Sequence, residues 1–171
     1  LIASTSEMMA YGMPYATVGE FLLGNPDYGS LCEGFHDFYS TYEMMPCGTL
    51  AVTDCSELDN MAAIMKSIND RYVFDDSLQG ELQGLDGYTP VIFYDFADYV
   101  LTLCSDPVLT ARFREQLERL VPYKTHTGKF YSRTKGPLPI HTFSGITISD
   151  PSTNPMALLK GTTSWYKATH E

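Results

Sequence analysis

The chain has 171 residues and a net charge of −10; 44% of the residues are hydrophobic and 13% are aromatic. This composition excludes a disordered chain, and its acidic balance argues against nucleic-acid binding, which needs clustered Lys and Arg. No apolar run reaches the roughly 18 residues of a membrane span. The sequence therefore predicts a globular protein that has no membrane span and does not bind nucleic acid.

The first residues carry the most informative pattern. Residues 1–4 predict a short apolar strand, and residues 5–12 predict a polar loop that leads into a helix. Open α/β sheets bind their ligands at such strand-to-helix loops. Because no initiator Met, leader or covering helix precedes the strand, we expect the chain to be the second part of a longer domain.

Helical and strand patterns then alternate. After a short helix at 18–23, apolar spacing predicts a helix over 28–44, and a β-rich run at 49–53 predicts a buried strand. Asp54 and Glu57 have the spacing of a capping box at the start of the next helix. The polar, Gly-rich residues 68–89 indicate a long segment with little regular structure.

The second half continues with two helical patterns. Residues 92–104 have helical spacing, and Asp106-Pro107 predicts the start of another helix. The remaining predicted elements are short strands at 121–125, 129–132 and 143–149, a loop or edge around the prolines at 137 and 139, and a final helix around 164–167.

Strands separated by helices predict an α/β layer arrangement with a mainly parallel sheet. Only two or three of the predicted strands are convincing. A sheet this small would leave strand edges and apolar surface uncovered, so another segment is expected to complete it.

The residues contain no complete catalytic machinery. G-x-S-x-G, H-E-x-x-H, P-loop and G-x-G-x-x-G motifs are all absent from the sequence. The four cysteines form no C-x-x-C pair, which favours free thiols. Cys47 precedes a glycine and could be an exposed thiol, but a structural role is favoured because no partner histidine can be named. His36 is interpreted as a partly solvated helix histidine.

Two other patterns carry little weight. Residues 132–135 match the S-x-x-K pattern of acyl enzymes but lack its companion motifs, so chance explains the match better. Asp75-Asp76 could bind a cation, although adjacent acids in a loop are usually only solvated.

The loop after the first strand is the best candidate site. Its backbone could pair with an extended peptide, and Glu7 could receive a cationic side chain through charge-assisted hydrogen bonds. Glu7 could equally cap or brace the loop.

Three stretches, which follow one another in the same order as in the family, resemble the clostripain-like cysteine proteases, peptidase family C11. The first is LIASTSE followed by GMPY, where the family has Ser-x-Glu and then Gly-Trp-Pro-Tyr; Met13 replaces the Trp. The second is TLAVTD, similar to the family's strand that ends in Asp before a helix. The third comprises SGITI, Pro151 and WYKAT, similar to the closing strand and last helix.

The resemblance implies a caspase-like α/β fold, with residues 1–171 as the C-terminal part of a single peptidase domain. The catalytic His and Cys would lie in an upstream portion, which would be the partner of this chain and would complete the sheet. The chain alone is therefore expected to be inactive. The family cleaves after Arg or Lys, is often processed into two associated chains, and is secreted or held at the bacterial cell envelope. No cofactor is implied, and a calcium requirement stays open.

The resemblance also implies a role for the loop at 5–12. Its substrate-binding residues would be Ser6, Glu7, Met9, Ala10 and Tyr11. Met9 and Ala10 would offer backbone to the peptide, whereas Glu7 and Tyr11 would flank the pocket for the basic side chain. Two alternatives remain: a pseudo-protease that binds peptides without cleaving them, and a structural or inhibitory interaction domain.

Overall fold

The computed structural model describes residues 1–6, 16, 23 and 27–171. The helices in these ranges are α1 (Tyr28–Thr41), α2 (Leu58–Asn69), α3 (Phe96–Leu103), α4 (Pro107–Leu120) and α5 (Ser164–His170). The strands are β1 (Ile2–Ala3), β2 (Thr49–Val52), β3 (Tyr94–Asp95), β4 (Tyr123–His126), β5 (Lys129–Ser132), β6 (Gly136–Pro139) and β7 (Thr147–Ile148). Short 3₁₀ segments cover Cys55–Glu57, Asp76–Glu81 and Pro155–Thr162. Of the helix predicted at 18–23, only Leu23 is among the described residues.

Acidic caps determine where several helices begin. The Asp106 carboxylate accepts hydrogen bonds from the backbone N–H groups of Val108 and Leu109, with Pro107 in the first turn, as the sequence predicts. The Asp54 carboxylate caps the 3₁₀ turn that leads into α2, but the predicted capping box does not form. The Asp54 N–H donates to the Leu120 carbonyl, and the Glu57 carboxylate accepts hydrogen bonds from the side chains of Asn60 and Gln116.

The described strands form three small sheets. The first has the order β1-β2-β4, the second pairs β3 with β7, and the third pairs β5 with β6. The prolines at 137 and 139 lie in β6, a strand whose only described partner is β5, in agreement with the predicted edge position.

The direction of pairing corrects the expectation of a mainly parallel sheet for the described strands, because every described strand pair is antiparallel. The prediction assumed that each helical crossover returns the chain to the end where a strand began. Here α4 ends beside the end of β2, since the Asp54 N–H donates to the Leu120 carbonyl. β4 therefore begins near Val52 and runs back along β2.

Helices cover both faces of β2, which confirms the predicted α/β layers. Successive side chains of a strand point to opposite faces. Leu50 packs with α1, in a cluster with Leu31, Phe35 and Tyr39. Its neighbour Ala51 belongs to the main core, which is built largely from α2, α3 and α4.

Two predicted elements are shorter than expected. The helix expected over 92–104 begins only at Phe96, because Asp95 pairs with Thr147 and its carboxylate caps α3. The strand expected over 143–149 is reduced to β7. Gly145 has a φ of 81°, and the Ser144 N–H donates to the Asp95 carboxylate, so the segment before β7 turns instead of extending.

The four cysteines are free, as expected. Cys32, Cys47 and Cys104 are buried, whereas Cys55 is exposed at the start of the first 3₁₀ segment. Burial raises the pKa of the Cys32 thiol. The buried cysteines therefore act as small core side chains.

The buried Tyr99 should make the free energy of unfolding decrease at alkaline pH. Its ring is 4% exposed, and burial, followed by the charge of Asp150, raises its pKa. The unfolded chain releases this proton near pH 10, whereas the folded protein keeps it to higher pH. The free energy of unfolding should therefore fall as the pH rises above about 10.

Tyr99→Phe should remove this contribution to the slope, as measured by denaturant titrations between about pH 9 and 11. Tyr88→Phe, at a tyrosine that is 43% exposed, is the control. An unchanged slope in Tyr99→Phe would contradict the assignment.

Candidate functional site

Three chain segments meet at one end of the β1-β2-β4 sheet. β1 and β4 both run antiparallel to β2, with Ala3 opposite Ala51 and Thr49 opposite His126. The residues that follow β1 and β4 therefore lie beside the start of β2. The predicted substrate-binding segment leaves the sheet at this end.

Thr49 holds the residues that leave β1. Its side chain is fully buried, and its Oγ1 lies 2.8 Å from Ser4 Oγ and 3.0 Å from Ser6 Oγ. The Thr5 N–H donates to the same oxygen at 3.2 Å, and Thr5 Oγ1 lies at 3.3 Å. Ser6, one of the predicted site residues, is thus placed against the start of β2.

The other predicted site residues are Glu7, Met9, Ala10 and Tyr11, and they lie outside the described residues. Their roles stay predictions.

A second set of contacts fixes the end of β4. Thr127 Oγ1 accepts a hydrogen bond from the Gly48 N–H at 3.0 Å and donates to the Lys129 carbonyl at 2.6 Å. The Thr127 N–H donates in turn to the Gly48 carbonyl. These reciprocal bonds join the start of β2 to the loop after β4.

His126 lies at this end of the sheet. Its Nδ1 is 2.6 Å from the Thr127 carbonyl oxygen, so Nδ1 carries the hydrogen in this pair. The half-buried ring packs against Phe143 with 4.9 Å between ring centres. The sequence predicts no role for His126, and its position just after the strand predicted at 121–125 was the available signal.

The two candidates that were interpreted as structural remain so. Cys47 is 4% exposed, and burial raises the pKa of its thiol more than the charge of Lys129 lowers it. A protonated, buried thiol is a poor nucleophile. The side chain of His36 is 47% exposed and lies 3.5 Å from Asp37, as expected for a solvated helix histidine.

The two weak motifs also have structural explanations. Ser132 is fully buried, and its Oγ accepts hydrogen bonds from the N–H groups of Thr134 and Lys135 in the β5–β6 turn. The Lys135 ammonium instead donates to the Tyr88 carbonyl. The Asp75 carboxylate caps the 3₁₀ segment, and hydrogen bonds from Ser77, the side-chain one foremost, lower its pKa.

A cavity among the described residues lies elsewhere. It has a volume of about 750 Å³ and is lined mainly by apolar side chains from α2, β7, the last 3₁₀ segment and α5. None of the residues that meet around Thr49 lines it. Within the described ranges, no group of three or more His, Cys, Asp or Glu could hold a metal ion, and no helix has the length and apolar character needed to cross a membrane.

Solved structures resemble this chain closely. The match to a clostripain from Bacteroides thetaiotaomicron, in complex with the peptide inhibitor BTN-VLTK-AOMK, has 63% identity and a TM-score of 0.96. It covers 99% of this chain and 76% of the other. This chain belongs to the clostripain-like C11 family of cysteine proteases. Comparison with protein-family models and with curated proteins gave no match.

Two further C11 structures agree. A secreted C11 cysteine protease from Bacteroides thetaiotaomicron, called iotapain, has 63% identity and a TM-score of 0.96 over 99% of this chain and 48% of its own. An inactive zymogen of a C11 protease from Parabacteroides distasonis has 29% identity and a TM-score of 0.80, over 99% and 51%. The chain thus spans about half of each of these two C11 relatives.

Proposed function

We propose that this C11 chain supplies part of the substrate cleft of a cysteine endopeptidase that cleaves after Arg or Lys. The observation that carries the proposal is the 63% identity, over 99% of this chain, to a protease bound to a peptide inhibitor. The letters VLTK of that inhibitor end in lysine, which supports a preference for basic side chains.

The catalytic His and Cys are assigned to an upstream portion of the same protein. The imidazole takes the thiol proton, and the thiolate attacks the carbonyl carbon of the basic residue, at the peptide bond that follows it. The leaving amine takes the proton from the imidazole, and water then hydrolyses the acyl-enzyme. On this assignment the chain alone is inactive, which a peptidase assay of residues 1–171 with and without the upstream portion tests.

The upstream portion is also proposed to extend the sheet beside β1. Leu1 and Ile2 are 72% and 38% exposed, and the only described partner of β1 is β2. Exposed apolar side chains on an edge strand are typical of a surface that another segment covers.

The chain's own part is to bind the peptide. Residues 4–6 leave the sheet at a fixed position on Thr49. The following residues, Met9 and Ala10, are proposed to offer backbone groups to the peptide, and Glu7 is proposed to bind the cationic side chain beside Tyr11. A carboxylate that meets a cation in a shielded pocket gives specificity because a neutral side chain leaves it unpaired.

The proposal predicts a large difference between matched peptides. The whole protein should cleave Val-Leu-Thr-Lys and Val-Leu-Thr-Arg fluorogenic substrates with a kcat/KM about 100-fold higher than its kcat/KM for the Val-Leu-Thr-Gln substrate. The loss of one ion pair between substrate and pocket lowers kcat/KM by a factor of about this order. Iodoacetamide should abolish cleavage. Glu7→Gln should raise KM for the Lys peptide, whereas Glu33→Gln, at an exposed position on α1, should not.

Two outcomes would overturn this reading. Cleavage only after uncharged residues would contradict the pocket assignment. A whole protein that binds the peptides but does not cleave them would favour the pseudo-protease alternative.

The whole protein is expected to be secreted or held at a bacterial cell envelope. This location is supported by the relative described as secreted. Fractionation of the source cells with an antibody against the chain tests it.

A further inference from the structure

We propose that Thr49 is a positioning residue for the substrate-binding segment. Its buried hydroxyl would fix residues 4–6, from which that segment departs. The inference rests on the proposed function, but Thr49 belongs neither to the predicted binding residues nor to the proposed His/Cys dyad.

The Thr49 side chain contacts the residues that directly follow the last backbone pair between β1 and β2. The β1–β2 ladder ends with Ala3 opposite Ala51, and residues 4–6 then bend away from the strand. The backbone of Thr49 pairs on its other side with His126 of β4. The hydroxyl is therefore the group that β2 presents to the departing residues.

Four groups surround Thr49 Oγ1, and the three nearest match the capacity of one hydroxyl; the fourth, Thr5 Oγ1, is the most distant at 3.3 Å. Ser4 Oγ donates to the Ser6 carbonyl at 2.9 Å, so in the pair between Ser4 and Thr49 the threonine is the donor. Its two lone pairs then accept from the Thr5 N–H at 3.2 Å and from Ser6 Oγ at 3.0 Å. One donor and two acceptors are the full complement of a hydroxyl.

The position of this oxygen is well defined. Thr49 is fully buried, so water does not compete for its hydrogen bonds. A β-branched side chain on a strand has restricted χ1 freedom, and Thr49 is held in β2 between β1 and β4. A rigid hydroxyl of this kind sets where Ser6 lies, and Ser6 is the start of the predicted binding residues.

Thr49→Val tests the inference in the whole protein. The substitution preserves shape but leaves the Thr5 N–H and the Ser4 and Ser6 hydroxyls without this partner. KM for the Val-Leu-Thr-Lys substrate should rise about tenfold, with kcat changed less than about threefold, because the chemistry lies on other residues. Thr49→Ser keeps the hydroxyl and should return KM most of the way to the parent value.

Two further variants guard against a general loss of structure. Thr169→Val removes another buried threonine hydroxyl, one that bonds to backbone carbonyls within α5, and should leave KM unchanged. Ser4→Ala removes one partner from the segment side. If both act through one contact, the double variant Ser4→Ala/Thr49→Val should be no worse than Thr49→Val alone.

If Thr49→Val does not fold, the kinetics of Ser4→Ala test the inference. A raised KM of Ser4→Ala with a kcat near that of the parent supports it, whereas KM and kcat equal to those of the parent overturn it. A folded Thr49→Val with the KM of the parent, or strictly additive effects of Ser4→Ala and Thr49→Val, overturns the inference and leaves the proposed protease function intact. A parent protein without peptidase activity overturns both.

Discussion

Replacing Asp86 with alanine is expected to lower the free energy of unfolding by about 3 kcal/mol, because it removes three hydrogen bonds to one carboxylate and leaves the buried Ile92 N–H without an acceptor. The Asp86 side chain is 7% exposed, and its carboxylate accepts from the backbone N–H groups of Tyr88, Ile92 and Phe93 at 2.8, 2.8 and 2.6 Å. Alanine leaves all three donors without this acceptor. Chemical denaturation of the whole protein measures the loss.

Asp75→Ala is the matched control for Asp86→Ala. The Asp75 carboxylate also accepts from a backbone N–H, that of Ser77, but at an exposed cap. Its loss should lower the free energy of unfolding by much less than the loss of Asp86, because water can replace an exposed cap. Equal effects of the two substitutions would show that burial of the Asp86 contacts contributes nothing.

Phe113→Ala should also destabilise the protein strongly, by about 3–5 kcal/mol, the usual range for a fully buried phenylalanine. Phe113 on α4 is fully buried, and its ring meets Phe96 edge-on with 5.2 Å between centres. Truncation removes both this contact and the apolar area that the ring buries. The denaturation midpoint measures the effect.

Phe93→Ala provides the comparison, because Phe93 is 43% exposed. Its substitution should cost well under half as much, since less buried area is lost. If Phe113→Ala lowers the free energy of unfolding as little as Phe93→Ala does, the prediction is wrong, because the core around α4 would then repack and leave no cavity.

Local signals in the sequence predict most of the helices. At α4, the capping acid and the proline in the first turn predict the helix start, and the structure buries Leu109, Phe113, Leu117 and Leu120, which lie at helical spacing. The same holds for α1, where the inner face carries Leu31, Phe35 and Tyr39. Phe38 on the same helix is 40% exposed.

Strand direction could not be predicted in this way. Whether β4 runs with or against β2 depends on where the long connection between them ends, and this is a property of helix packing. The early part of the 92–104 pattern became a strand for a related reason. Two partners of the Asp95 carboxylate, Thr142 and Ser144, lie more than 45 residues away in the chain, and no local pattern indicates them.

The candidate site was predictable only in part. The segment after β1 is predicted to bind substrate from its resemblance to the C11 family, and this stays a prediction; the structure places Ser6 at the end of the sheet where that segment departs. The role of Thr49 was not visible, because a threonine in a β-rich run is typical of any buried strand. Its contacts span more than 40 residues of sequence.

The exposed Cys55 thiol affects any measurement of the proposed reactive thiol by chemical labelling. Cys55 is the one exposed cysteine of this chain, and exposed thiols react with alkylating reagents and disulfides. A stoichiometric thiol titration of the native protein would therefore report Cys55 together with the proposed nucleophile. A Cys55→Ser background removes the contribution of Cys55, so that no exposed cysteine of residues 1–171 is labelled.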